Sequence, residues 1–276
     1  MSHADELFIG NCKEILQGNI TTQGQKVRPH WEDGESAYTL KKFGLVNRYD
    51  LSSEFPIQTL RKINFKAAAD ELLWIWQKKS NNVHDLGSHI WDQWANETGS
   101  IGKAYGYQLG VKHKYPEGDF DQVDRVLYEL KNEPYSRRIL TNLFNFEDLH
   151  EMALYPCAYS MTFNVTGNKL NAILNQRSQD MLVANAWNVT QYALLVHLMA
   201  QVSDLVAGEF VHVIADAHIY DRHVPIVKEL IARPAYPAPR LWIDPEIKDF
   251  YDFTPDSFHL EGYDHGPLIK NIPVAI

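Results

Sequence analysis

Residues 189–202 read VTQYALLVHLMAQV, and no rotation of a helical wheel gives this segment a polar face. A helix apolar on nearly all sides persists in water only when other elements cover it from more than one direction. The chain must therefore build its core around this segment. The neighbouring sequence has the character of strands. SMTFNV and KLNAIL flank the turn-forming trio Thr166-Gly167-Asn168, which predicts a hairpin. FVHVIADAHIY, residues 210–220, continues a period of two, and PRLWI near Leu241 is a shorter strand. Residues 66–79, KAAADELLWIWQKK, combine helix formers with two lysines at the carboxyl end and a Ser-Asn-Asn stop. Val123, Val126, Leu127 and Leu130 repeat at helical spacing. Strands clustered between helices, without strict alternation, predict an α+β fold with one mixed sheet and helices packed on a face.

The 276 residues contain no Pro/Gly/Ser-rich linker, so a single domain over residues 1–276 is expected. No apolar run approaches the roughly 18–20 residues of a membrane helix. The amino terminus MSHADELF has acids where a secretory signal has basic residues, which gives a cytoplasmic expectation. Cys12 and Cys157 are too few for a disulfide framework, and without a CxxC pair both are read as free thiols. A net charge of -9 disfavours a broad nucleic-acid surface, so any bound phosphate must be held by a few placed arginines.

Cys157, in LYPCAYS, is either a buried filler or a nucleophile. A nucleophile needs cationic surroundings, and Arg177 in QRSQD leaves the hairpin's second strand close enough for pairing to bring it alongside. Arg137 and Arg138 open a predicted strand, RILTNLF, and point to opposite faces. With Arg28 and Arg177 they either form solvated surface or supply the charge for a phosphomonoester. Asp216, His218 and Tyr220 share one side of a strand by their spacing of two. A metal site from His212, His218 and His223 has no HExxH or cysteine cluster behind it, and no metal is expected. Glu71 precedes an almost wholly apolar turn, and facing a core it would have the environment of a general acid or base. Asn188 is either a helix N-cap or a carboxamide that pairs with N3–H and O4 of uracil.

Taken in order, ELLWIWQ, HIWDQWA, YGYQLG, SRR, the PC dipeptide, QRSQD, the downstream Asn188, DAHIY, EGYD and the terminal PVAI resemble thymidylate synthase over essentially the whole chain. The resemblance implies an α+β homodimer with sheets back to back, in which Arg137 and Arg138 reach the partner's site. It implies that Arg28, Arg177 and Ser178 hold the dUMP phosphate, that Asn188 reads uracil, that His218 and Tyr220 hold the ribose, and that Gln176 and Asp180 also line the nucleotide. Trp91, Asp180, Leu182, Tyr263, Ala275 and Ile276 would contact the co-substrate 5,10-methylenetetrahydrofolate, the carboxyl terminus closing as a lid. Cys157 would attack C6, with Arg177 favouring its thiolate, while Glu71, Tyr105 and Asp180 complete the catalytic set. Members of the family can bind messenger RNA, but no residue pattern here indicates it.

The chain also departs from the family's pattern. Ala158 follows the cysteine where histidine is common, LVANAWN replaces LGLPFN so that Trp187 stands where phenylalanine is usual, and VRPHW replaces DRTGT around Arg28. These changes surround the pyrimidine, which raises an alternative: a dUMP hydroxymethylase on the same scaffold, in which water captures the exocyclic methylene. Arg61 falls where the family often places a basic residue for the folate glutamate tail.

Overall fold

The computed structural model describes residues 1–276. In chain order the elements are α1 (His3–Gly18), β1 (Thr39–Asp50), α2 (Phe65–Trp76), α3 (Gly106–Gly110), β2 (His113–Tyr115), β3 (Gly118–Phe120), α4 (Gln122–Asn132), β4 (Leu140–Asn142), β5 (Ala158–Thr166), β6 (Lys169–Gln176), β7 (Gln179–Asp180), α5 (Asn185–Gln201), β8 (Val206–Tyr220), α6 (Val224–Leu230), β9 (Arg240–Ile243) and β10 (Phe258–Glu261). The main sheet runs β1-β8-β6-β5-β4, with β7 also on β8. β6 and β8 are parallel and joined through α5, while the other pairs along the path are antiparallel. The result is the mixed α+β sheet that the sequence predicts.

The hairpin closes through Gly167 and Asn168, with Thr166 opposite Lys169. Gly167 has a φ of 63°, the left-handed value that the first position of a type II′ turn requires. Register then fixes which face each residue takes. Leu140, Thr162, Ile173 and Val211 form one row across four strands. Met161, Leu174 and His212 form the adjacent row on the other face, and all three are buried.

Helix α5 lies against the buried face, and 13 of its 17 residues are buried. Leu194, Leu195, Val196, Leu198 and Met199 have no exposed surface. Each such side chain contributes about 1.5–3 kcal/mol relative to exposure, so the central helix is held by packing and not by caps. It begins at Asn185, four residues before the expected start, and its cap residue Ala184 makes no side-chain capping bond. Asn188 is therefore inside the first turn, which removes the N-cap reading. Helix α2 also differs, ending at Trp76. Lys79 instead takes a φ of 53° and places its ammonium 2.5 Å from Asp121 at the cap of α4. A smaller apolar cluster joins α1, α6 and the end of the sheet, and contains Cys12 beside Phe8 and Ile15. No helix is long and apolar enough to cross a membrane.

Candidate active site

Cys157 immediately precedes β5, and pairing with β6 brings the following segment back against it. The Arg177 amide donates to the Cys157 carbonyl at 2.9 Å. The guanidinium is held by Nε to the Pro156 carbonyl at 3.0 Å and by Nη2 to the Tyr155 carbonyl at 2.7 Å. That orientation leaves Nη2 3.8 Å from Cys157 Sγ. Tyr105 Oη accepts from the Cys157 amide at 3.2 Å. Tyr105 itself has a φ of 45°, an uncommon conformation for a bulky residue, at the start of α3. Burial pushes the Cys157 thiol up, against the opposing pull of Arg177, the Tyr105 hydroxyl and Arg28. Arg28 is exposed on the loop before β1, and its charge also lowers that thiol.

Asn188 stands at the centre of an amide network. Its Oδ1 accepts from Gln176 Nε2 at 3.1 Å and from Gln179 Nε2 at 3.3 Å, while its Nδ2 faces Gln191 Oε1 at 3.4 Å. Gln176 Nε2 also donates to the Ser178 carbonyl, so its Oε1 turns to His212 Nε2 at 2.7 Å. Ser178 itself is half-buried beside Arg177. His212 has no exposed surface, and burial lowers its pKa to about 3. A neutral ring with its proton on Nε2 is the tautomer that satisfies Gln176 Oε1. The imidazole thus orients Gln176, which orients Asn188.

At the end of β8, His218 Nδ1 lies 3.0 Å from Asp216 Oδ1, and its ring meets Tyr220 edge-on at 5.1 Å. Burial raises the Tyr220 hydroxyl to about 12, keeping it a donor at neutral pH. Asp180, at the end of β7, caps its own turn by accepting from the Leu182 and Val183 amides at 2.8 and 3.0 Å. Burial would raise its carboxyl, but His223, His218 and the Val183 amide hold it below the usual range. His223 lies 3.7 Å from Asp180 Oδ2 through Nδ1 and donates through Nε2 to the Pro273 carbonyl at 2.7 Å. The final residue pairs with the Arg28 loop: Ile276 N donates to His30 O at 3.0 Å, and His30 N to Ile276 O at 2.9 Å. Ala275 and Ile276 therefore lie beside the loop that carries Arg28.

Glu71 faces the core from α2, 6% exposed. Its Oε1 accepts from Trp91 Nε1 at 2.7 Å and its Oε2 from Trp187 Nε1. Burial pushes the carboxyl up, and these two indoles with Gln191 pull it down. Trp91 packs edge-on against Tyr105 at 5.1 Å between centroids, so Glu71 and the tyrosine that meets the Cys157 amide share one aromatic wall. Leu182 is buried. Tyr263 Oη donates to the Gln58 carbonyl at 2.8 Å and accepts from the Ile63 amide at 3.1 Å.

Arg137 and Arg138 are exposed just before the outer strand β4, and neither guanidinium has an ion pair within the chain. The arginines acting on Cys157 are Arg177 and Arg28. Arg61 does not present itself to a glutamate tail: it is 7% exposed, with Nη2 2.6 Å from the Leu182 carbonyl and Nε 3.2 Å from Gln58 Oε1. The three histidines of the metal alternative do not converge, since His212 serves Gln176, His218 serves Asp216 and His223 serves Pro273. Sequence reasoning missed Gln179, Gln191, the hydrogen bond of His212 to Gln176 and that of Trp187 to Glu71. The signal for His212 was an imidazole placed between Phe210 and Ile214 on the same side of the strand.

Comparisons with known proteins agree with this geometry. The family model described as thymidylate synthase matches residues 7–276. Thymidylate synthase 1 of Bacillus subtilis (strain 168) is 45% identical over 271 residues, covering 96% of this chain and 97% of that protein. The thymidylate synthase of Bacillus phage phi3T shows the same identity and coverage. Among solved structures, thermostable thymidylate synthase A from Bacillus subtilis superposes with a TM-score of 0.93 at 44% identity, covering 99% of each chain. A cysteine beside an arginine, a buried carboxamide network and a full-length match all lead to one conclusion: the chain belongs to the thymidylate synthase family.

Proposed function

We propose that the chain converts dUMP and 5,10-methylenetetrahydrofolate into dTMP and dihydrofolate, through a temporary bond between Cys157 Sγ and pyrimidine C6. The observation that carries this reading is the placement of Arg177 Nη2 3.8 Å from Sγ, with Asn188 held by its amide network on the following helix. Arg177, Arg28 and Ser178 take the phosphate. Asn188 accepts N3–H in place of the longer bond from Gln179 and donates to O4. His218 and Tyr220 meet the ribose hydroxyl.

Attack by the thiolate at C6 moves electrons onto C5 and O4, and C5 then becomes the nucleophile. The folate co-substrate supplies both the one-carbon unit and the hydride. Glu71 handles protons at the pyrimidine, with Tyr105 steadying the cysteine backbone. Trp91, Leu182, Asp180 and Tyr263 suit a flat, partly apolar co-substrate, and Ala275 and Ile276 close the edge against water. Asp180 is fitted to an N–H donor because it is ionised and its Oδ1 is fixed by two amides.

A homodimer completes the reading. The sheet face away from α5 leaves Leu140, Ile173, Val46 and Val206 between 40% and 56% exposed. A second sheet would cover that face, and would bring the unpaired Arg137 and Arg138 to a neighbouring site. The domain is taken as residues 1–276, acting in the cytoplasm without a metal. The names of the relatives give hydroxymethylation no support.

The test is to incubate the protein with dUMP and methylenetetrahydrofolate, follow dihydrofolate absorbance and identify the nucleotide by mass. dTMP with dihydrofolate is expected. 5-Hydroxymethyl-dUMP with tetrahydrofolate would overturn the reading.

A further inference from the structure

We propose that Trp187 is a positioning residue for the reaction, one that holds Glu71 as a base in a single orientation by donating its indole N–H to the carboxylate oxygen that Trp91 leaves free. The inference rests on the reading of Glu71 given above.

The geometry has three parts. Glu71 is buried on α2, and the indoles reach it from separate elements: Trp91 just ahead of the short helical turn at Asp92–Trp94, and Trp187 from the first turn of α5. An indole N–H donates and cannot accept, so two indoles on two oxygens match an ionised carboxylate better than a protonated one. Each oxygen still has a lone pair for a water or a substrate proton. Trp187 also adjoins Asn188, so one helical turn fixes the base and the pyrimidine reader together.

The groups around Glu71 that bear on its ionisation are few. From its own helix Asp70 raises it; from α5 Trp187 and Gln191 lower it; from the segment between α2 and α3 Trp91 lowers it. Tyr192 on α5 also senses the Glu71 charge, and its hydroxyl is pushed well up by burial, so it stays neutral. Removing the Trp187 donor leaves burial less opposed, and the base then needs a higher pH to ionise.

Trp187→Phe keeps an aromatic ring and deletes the N–H. The expected result is that the acidic limb of the pH profile moves up by about one unit, both for kcat and for release of hydrogen from C5 of dUMP. Below that limb turnover falls about tenfold, while KM for dUMP changes little. Benzothienylalanine at position 187 keeps the bicyclic shape without the N–H and should shift the limb equally, which covers the case of a phenylalanine variant that folds poorly. Any residual turnover of Glu71→Gln should lack this limb, and adding either Trp187 change should leave that residual rate unaltered. If both Trp187 variants retain the parent limb while Glu71→Gln removes turnover, the positioning role is overturned and the reading of Glu71 stands. A shift with phenylalanine but not with benzothienylalanine would assign the effect to packing and also overturn it. If Glu71→Gln leaves turnover intact, the reading of Glu71 fails and the inference falls with it.

Discussion

The molecule contains two cysteines in two kinds of place. Cys12 lies between α1 and the end of the sheet, with no exposed surface, among Phe8, Ile15 and other aliphatic side chains. Cys157 lies at the mouth of β5, half-buried, with Arg177, Arg28 and the Tyr105 hydroxyl around it. Burial raises both thiols. At Cys12 the charge of Asp180 raises the thiol further, whereas at Cys157 every group other than burial lowers it. The side chain is the same, so the two thiols differ only in what faces the sulfur, and a difference in reactivity is expected from that.

The largest expected effect comes from making the second place resemble the first. Arg177→Ala removes the proposed phosphate contact and the guanidinium 3.8 Å from the thiol. Two charge-assisted interactions at about 1.5–3 kcal/mol each correspond to a fall in kcat/KM on the order of a hundredfold to ten-thousandfold. Steady-state kinetics with dUMP would check it, and a fall under tenfold would remove Arg177 from both roles.

Alkylation should separate the thiols more directly. Because the Cys157 thiol sits above its ordinary value in the folded chain, its thiolate fraction at neutral pH is small. It grows about tenfold per pH unit as the pH rises towards that pKa. Labelling by iodoacetamide, followed by peptide mass, should therefore accelerate with pH at Cys157 and leave Cys12 unmodified. Labelling of Cys12 in the folded protein would break the comparison.

How much of this was legible in the sequence follows from the range of the interactions. Arg177 near Cys157 was readable because the hairpin brings the two strand ends together, but their direct pairing was not, since it depends on a β-bulge between Ala158 and Ser160 that shifts the register by one. The buried nature of α5 was readable from its lack of any polar face. The start of α5 was not, since Ala184 carries no capping side chain. The end of α2 was hidden for another reason: Lys78 and Lys79 are good helix formers, but a tertiary pairing with Asp121 draws Lys79 into a left-handed conformation. The partners of Glu71 lie 20 and 116 positions away, at separations that periodicity does not report. Arg61 was misjudged because charge alone does not say which way a guanidinium turns, and here a backbone carbonyl takes it inward.

The smallest effect belongs to the buried thiol. Cys12→Ser places a hydroxyl in an apolar cluster and should destabilise the fold by about 1–3 kcal/mol, with turnover per folded molecule unchanged. Urea unfolding alongside active-site titration would read the two separately. A loss of turnover without a loss of stability would mean that Cys12 is more than packing.

The central claim is that Cys157 Sγ bonds to the pyrimidine. Intact and peptide mass spectrometry after incubation with 5-fluoro-dUMP and methylenetetrahydrofolate tests it most directly, because the C5 hydrogen can leave as a proton whereas fluorine in its place cannot leave as a cation, so the adduct persists. A mass gain of nucleotide plus folate on the peptide containing Cys157, absent from Cys157→Ala, is the predicted result. An unmodified protein, or an adduct on any other residue, would contradict it.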